Sequence, residues 1–176
     1  NFPFLIVQLA GFQSGSNMWP DLRQAQWLTA QSVPNTGIAA AIDIGNAGDI
    51  HPKNKQEVGR RLALVAEAKA YGEKVSYSGP VYQSMAVSGS AITLKFSHIE
   101  GGLVAHDGPA LTGFEIAAAA GKFVPADARI DGDMVVVSSA QVPLPASVRY
   151  DWADFPTSSL YNKAGLPAFP FDTSGK

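Results

Sequence analysis

The stretch "IAAAIDIGNAGDIHPKNKQEVGRRLALVAEAKAYG" (Ile38 to Gly72) decides how the chain is read. Its start, Ile38 to Ile44, is an apolar run interrupted only by Asp43, which predicts a strand buried on both faces, as in a parallel sheet. Pro52 suits a first helical position, and Val58, Leu62 and Val65 recur at i, i+4 and i+7. These signals predict a helix from Pro52 to about Tyr71, with Gly72 as its stop.

Toward the N-terminus, "PFLIVQLA" (Pro3 to Ala10) predicts another strand buried on both faces. The Gly- and Ser-rich "GFQSGSNM" follows as a loop. "WPDLRQAQWLTAQ" (Trp19 to Gln31) then opens with Pro20 and Asp21, both suited to a helix start, and carries Leu22, Ala25 and Leu28 as its apolar stripe. Strand, helix, strand, helix argues for an α/β unit with a parallel sheet over residues 1–75.

From about Ser76 to the end, residues 76–176, the texture turns β-rich. Short runs of Val, Ile, Phe and Tyr are broken by Gly, Asp and Pro, and "AITLKFS" places Ile92, Leu94 and Phe96 on one face. This predicts antiparallel, sandwich-like strands. Gly121 and its β-rich neighbours argue against a helix at Ala117 to Ala120, and "SSLYNKAGLPAFPFDTSGK" is expected to be an irregular arm packed onto the rest. Tyr82, Phe114, Phe123, Tyr150 and Trp152 serve either a sandwich core or a sugar-stacking face.

The chain's 176 residues suit one domain, or a small domain plus part of another. A net charge of −2 with scattered basic residues lacks the one-sided basic face that nucleic acid requires. No apolar run approaches the roughly 20 residues of a membrane span. Cysteine is absent, which excludes disulfides, thiolate nucleophiles and Cys-ligated zinc but leaves the compartment open. "NFPFLIVQL" lacks a charged leader region and a cleavage site, so it reads as the interior of a longer polypeptide.

His51 is the candidate catalytic base. Directly before Pro52 it is expected at or beside a helix N-cap, where the positive end of the helix dipole disfavours imidazolium. Asp49, two residues upstream, or Asp43, at the end of the preceding strand, could hold the Nδ1 proton as the third member of a triad does. The same D-x-H spacing also fits an aspartate capping a helix beside an exposed histidine. His98 and His106, next to Glu100 and Asp107, are expected to be solvated loop residues, because no third ligand shows zinc-site spacing.

"GDIHPKNKQEVGRRLALVAEAKAYG" resembles the C-terminal block of the sialate O-acetylesterase family, a branch of the SGNH (GDSL-like) hydrolases. "WPDLRQAQ", "SGPVYQSM", "GFEIAAAAGKFVPADARIDGDMVVVSS", "VRYDWADFP" and "LYNKAGLPAFPF" resemble that family too, in its order, so the likeness runs through the whole chain. It implies removal of acetyl groups from carbohydrate hydroxyls by a serine nucleophile with a histidine base, without metal or organic cofactor, in a secreted or periplasmic setting. By position His51 matches the family's histidine. The usual D-x-x-H spacing is not kept, since Gly48 stands at that place, so Asp49 is taken as the partner and Asp43 as the fallback. The family's G-Q-S-N and W-Y-Q-G-E blocks are not found. "GSNM" (Gly15 to Met18) imitates the serine block, but it occupies the variable loop before a late helix, so Ser16 is read as a decoy. The nucleophile is therefore expected upstream or on a companion chain.

Overall fold

The structure, a computed structural model, describes residues 2–175. It is a mixed α/β fold with two α-helices and several antiparallel sheets. The first part runs β1 (Phe4–Val7), α1 (Trp19–Ser32), β2 (Thr36–Ala39), a single 3-10 turn (Ile42–Ile44) and α2 (Lys55–Lys69). β1 and β2 pair in parallel, Phe4 opposite Thr36 through Val7 opposite Ala39. α1 crosses over β2, and α2 packs on both strands, with Val65 against Gly37.

Several expectations are corrected here. β2 begins earlier than Ile38 and ends at Ala39, because the chain turns where Arg61 draws in the Ala40 carbonyl and the Asp43 carboxylate. α2 begins at Lys55 and not at Pro52: the Asn54 side chain accepts the Glu57 N–H and supplies the cap. β1 is not buried on both faces, since Phe4 is 58% and Val7 37% exposed, and among the described strands it pairs with β2 alone. On α1, Leu22 and Leu28 face outward, and the buried side carries Arg23 and Ala30.

The remainder is antiparallel. β3 (Val81–Ser88), β4 (Ala91–Ser97), β9 (Met134–Ser138) and β8 (Asp127–Asp131) form one four-stranded sheet, in that order. A second, in the order β12 (Phe171–Asp172), β10 (Ser147–Tyr150), β6 (Phe114–Ala117) and β7 (Val124–Pro125), shares a core with it. That core joins Ile92, Leu94 and Phe96 of β4 to Ile116, Val148 and Tyr150 of the second sheet, so the period-two face of "AITLKFS" points inward as its spacing requires. A short pair, β5 (Leu103–Ala105) with β11 (Leu160–Asn162), flanks them. The tail packs onto the rest as expected and is irregular over much of its length, but it also forms strands. It supplies β11 and β12, and its Leu160, Ala168 and Phe171 lie in the core. Its large apolar side chains require burial, and the Gly and Pro residues between them only set the turns.

Ala30 of α1, Ile38 and Ala40 meet Phe169 of the tail in a smaller cluster, with the Trp27 ring tilted at 40° against Phe169, 4.6 Å between centroids. This seam joins the two parts. No helix among the described residues is long and apolar enough to cross a membrane.

Candidate active site

Two loops leave the carboxyl ends of β1 and β2, the edge where open α/β sheets bind ligands. They lie side by side: the Gln13 N–H donates to the Ala47 carbonyl at 3.2 Å, and the Asn46 N–H to the Gly11 carbonyl at 3.0 Å. The backbone of Gly11 lies directly against Gly45, so any Cβ at position 45 would collide with it.

His51 sits in the second loop. Asn46 Oδ1 accepts the Gly48 N–H at 2.8 Å, and Asp49 Oδ1 accepts the His51 backbone N–H at 2.9 Å. These successive Asx turns shape the loop and hold up His51 with its side chain exposed. Asp49 thus fixes the backbone of His51, and its hydrogen bond goes to the amide and not to the ring. The expected N-cap position is corrected as well. The cap is Asn54, so His51 lies outside the first turn, where the helix dipole acts.

Asp43 is committed elsewhere. Arg61 of α2 grips it bidentately at 2.6 and 2.7 Å, and the Tyr161 hydroxyl of β11 donates to its Oδ2 at 2.9 Å. Burial and the adjacent Asp43 charge push the Tyr161 phenol well above its ordinary range. Glu57 joins the cluster. Its hydrogen bond with Arg60, opposed by partial burial and reinforced by Arg61, holds its carboxyl down at about 2. Asp43 is therefore a bracket between α2 and the β-rich part.

Ser16 lies in the first loop. Its hydroxyl bonds to Ser14 Oγ at 2.7 Å, and Ser14 in turn donates to Asp154 Oδ2. Asp154 also accepts the Asn17 N–H at 3.3 Å, so a loop that looks flexible in sequence is tethered from the β-rich part. Burial raises the Asp154 pKa, but the Ser14 hydroxyl and nearby backbone N–H groups outweigh it and hold the carboxyl below its usual value. Among the described residues Ser16 has no hydrogen bond to His51.

The residues that lock this edge were missed by sequence reasoning. Arg23 is fully buried, and its guanidinium donates to the carbonyls of Leu9, Ala10, Ala153 and Asp154. Burial drives its pKa down to about 10, against the pull of Asp151 and Asp154. Asp151, buried and left-handed at φ 51°, accepts from Ser158 at 2.6 Å, and burial raises its carboxyl to about 7. The signal was present: "RYDWAD" sets two acids among Tyr150, Trp152 and Ala153. Of the other histidines, His106 is exposed as expected while stacking on Tyr161 at 4.6 Å, and His98 is half-buried edge-on to Tyr77 at 5.1 Å.

No profile of a known protein family matches the chain. Over an alignment of 93 positions that covers 46% of the chain, it is 40% identical to sialate O-acetylesterase of Rattus norvegicus and 38% identical to that of Homo sapiens. The matched stretch is only 17% and 18% of those relatives' lengths. A solved carbohydrate acetylesterase from Xanthomonas citri superposes with a TM-score of 0.92 at 45% identity, over 99% of this chain and 41% of that one. By sequence and fold together, the chain is similar to sialate O-acetylesterases and to a carbohydrate acetylesterase, and it spans less than half the length of each.

Proposed function

We propose that this chain carries the histidine side of a carbohydrate O-acetylesterase active site, and that the nucleophilic serine comes from an upstream segment or a companion chain. The observation that carries the reading is the placement of His51. It is exposed on a backbone-fixed loop at the carboxyl edge of a parallel strand pair, beside the loop that follows β1.

The chemistry is acyl transfer. The serine attacks the acetyl carbonyl while His51 takes its proton. His51 then returns that proton to the departing sugar oxygen, and water repeats the cycle to release acetate. Asp49 is the proposed orienting carboxylate, because it already holds the His51 backbone and Asp43 is bound to Arg61 and Tyr161. The exposed Phe4 and Val7 on β1, which among the described strands pairs only with β2, support a seat for the serine-bearing segment. The substrate is an acetylated carbohydrate, in keeping with the names of the similar proteins.

The test is acetate release by the complete protein, with Asp49→Asn and Asp43→Asn compared. Loss of two or more orders of magnitude in kcat for Asp49→Asn, at unchanged melting temperature, supports the assignment. Equal activity of Asp49→Asn and wild type refutes it.

A further inference from the structure

Three clefts lie between α1 and the β-rich part, and they share walls. The first, about 310 Å³, is enclosed by Asp21 and Gln24 of α1 and by Phe123, Arg149, Trp152 and Asp172. The second, about 90 Å³, shares Gln24 and Asp172 with it and adds Trp27 and Tyr82. The third, about 430 Å³, shares Trp27, Val81 and Phe169 with the second and extends to Gln31, Asn35, Tyr77 and His98. Asp21, Gln24, Trp27 and Gln31 lie on one flank of the helix, three or four residues apart. The clefts are therefore one groove along α1, whose 14 residues measure about 21 Å.

The groove starts at the catalytic edge. α1 begins beside the loop that holds Ser16, and Arg23 clamps the Ala153 and Asp154 carbonyls next to Trp152 at that end. None of its walls comes from β1, so the groove does not use the strand proposed to seat the serine-bearing segment.

Its chemistry suits a neutral, hydroxyl-rich chain. Aromatic rings recur along it, with Phe123 and Trp152 first, Trp27 and Tyr82 in the middle, and Tyr77 with His98 at the far end. Between them stand planar hydrogen-bonding groups that both donate and accept, which match sugar hydroxyls while the rings match the apolar faces of pyranoses. The charges do not sum to one sign. Arg149 is paired bidentately with Glu115 and lies 4.4 Å over Phe123, Lys69 lies 5.1 Å over Tyr77, and Asp21 and Asp172 stand near Arg149. That balance favours neither a polyanion nor a polycation.

We infer that this groove binds the backbone of a neutral oligosaccharide, presenting an acetylated unit to the catalytic edge. The inference names the substrate class of the proposed esterase and rests on that reading for the second half, but binding itself is independent of catalysis. The experiment is calorimetry and tryptophan fluorescence on the complete protein with unacetylated cellohexaose and xylohexaose, their disaccharides, and sialyllactose. At least one hexaose is expected to bind at least tenfold more tightly than its disaccharide. Trp152→Ala and Gln24→Ala are each expected to weaken it at least fivefold, with His51→Ala binding normally. Gln24, on the surface of α1, keeps the test independent of any folding defect at Trp152. Binding of neither hexaose at about 10 mM, which corresponds to less than roughly 3 kcal/mol of affinity, would overturn the inference. So would equal affinity for hexaose and disaccharide, preference for sialyllactose, or indifference to Gln24→Ala. An inactive protein that still binds a hexaose in this manner would remove the esterase reading and leave the groove.

Discussion

The two parts of the molecule are held together by different physics. In the β-rich part, Ile92, Leu94, Ile116, Val135, Val137 and Val148 are all fully buried in a core shared by two sheets. That part is held by an apolar core of its own, although Val87 and Leu144 stay exposed. The α/β part shares only a smaller apolar cluster with the tail: Phe4, Leu22 and Leu28 are exposed, and its fully buried side chains include Arg23 and Gln8. Its cohesion is polar. Arg23 serves four carbonyls and Arg61 joins Asp43, Glu57 and the Ala40 carbonyl. A buried guanidinium is costly to desolvate and fixes geometry well when satisfied, which suits an edge that holds two neighbouring loops in register.

Substitutions can break this contrast. Arg23→Ala strips donors from carbonyls shared by both parts, and should cost about 3–5 kcal/mol in urea unfolding. A loss under 1 kcal/mol would mean that the polar clamp does not hold the edge. Leu94→Ala, inside the self-contained core, should cost about 2–4 kcal/mol through transfer and cavity effects. Its unfolding midpoint should fall without disturbing the Asp43–Arg61 bracket, which the Tyr161 environment reports.

Asp151 sharpens the contrast at the seam. Burial pushes its folded carboxyl up to about 7 from an ordinary 3.8, so the native state binds the extra proton between those limits. The group favours the fold most below pH 4, and its contribution declines as pH rises through 7, by up to a few kcal/mol. Asp151→Asn keeps a residue that tolerates the left-handed backbone and should flatten the melting temperature between pH 5 and 8. An unchanged slope would exclude Asp151 as its source. Gly113 should resist substitution for the same local reason: a Cβ there meets Asp151 Oδ1, and its φ is +80°. The smallest effect is expected from Asn54→Ala, about 1 kcal/mol for the lost cap of α2, measured by thermal denaturation.

Much of this arrangement is legible in the sequence where hydrophobic periodicity controls it. β4 reads directly from Ile92, Leu94 and Phe96, and α1 from Pro20 and Asp21. Legibility fails where polar groups take core roles. The stripe Leu22–Ala25–Leu28 points outward because Arg23 occupies the inner face, which no apolar periodicity reveals. The start of α2 is misplaced because Pro52 is a strong start signal, while the actual cap is the less conspicuous Asn54. For the candidate site, His51 and its loop neighbour Asp49 are legible as a pair, but the bond between them runs through the backbone. The commitment of Asp43 depends on Arg61 and Tyr161, the latter 118 residues away along the chain.

The central claim is that His51 is the base of an esterase whose serine lies outside the segment described. Its most direct measurement is acetate release from an acetylated oligosaccharide by the complete protein and by its His51→Ala variant, with both folds checked by circular dichroism. The account predicts a loss of roughly 10³-fold or more in kcat for the variant, with the far-ultraviolet spectrum unchanged. A variant that retains its spectrum and turns over within threefold of wild type would contradict it.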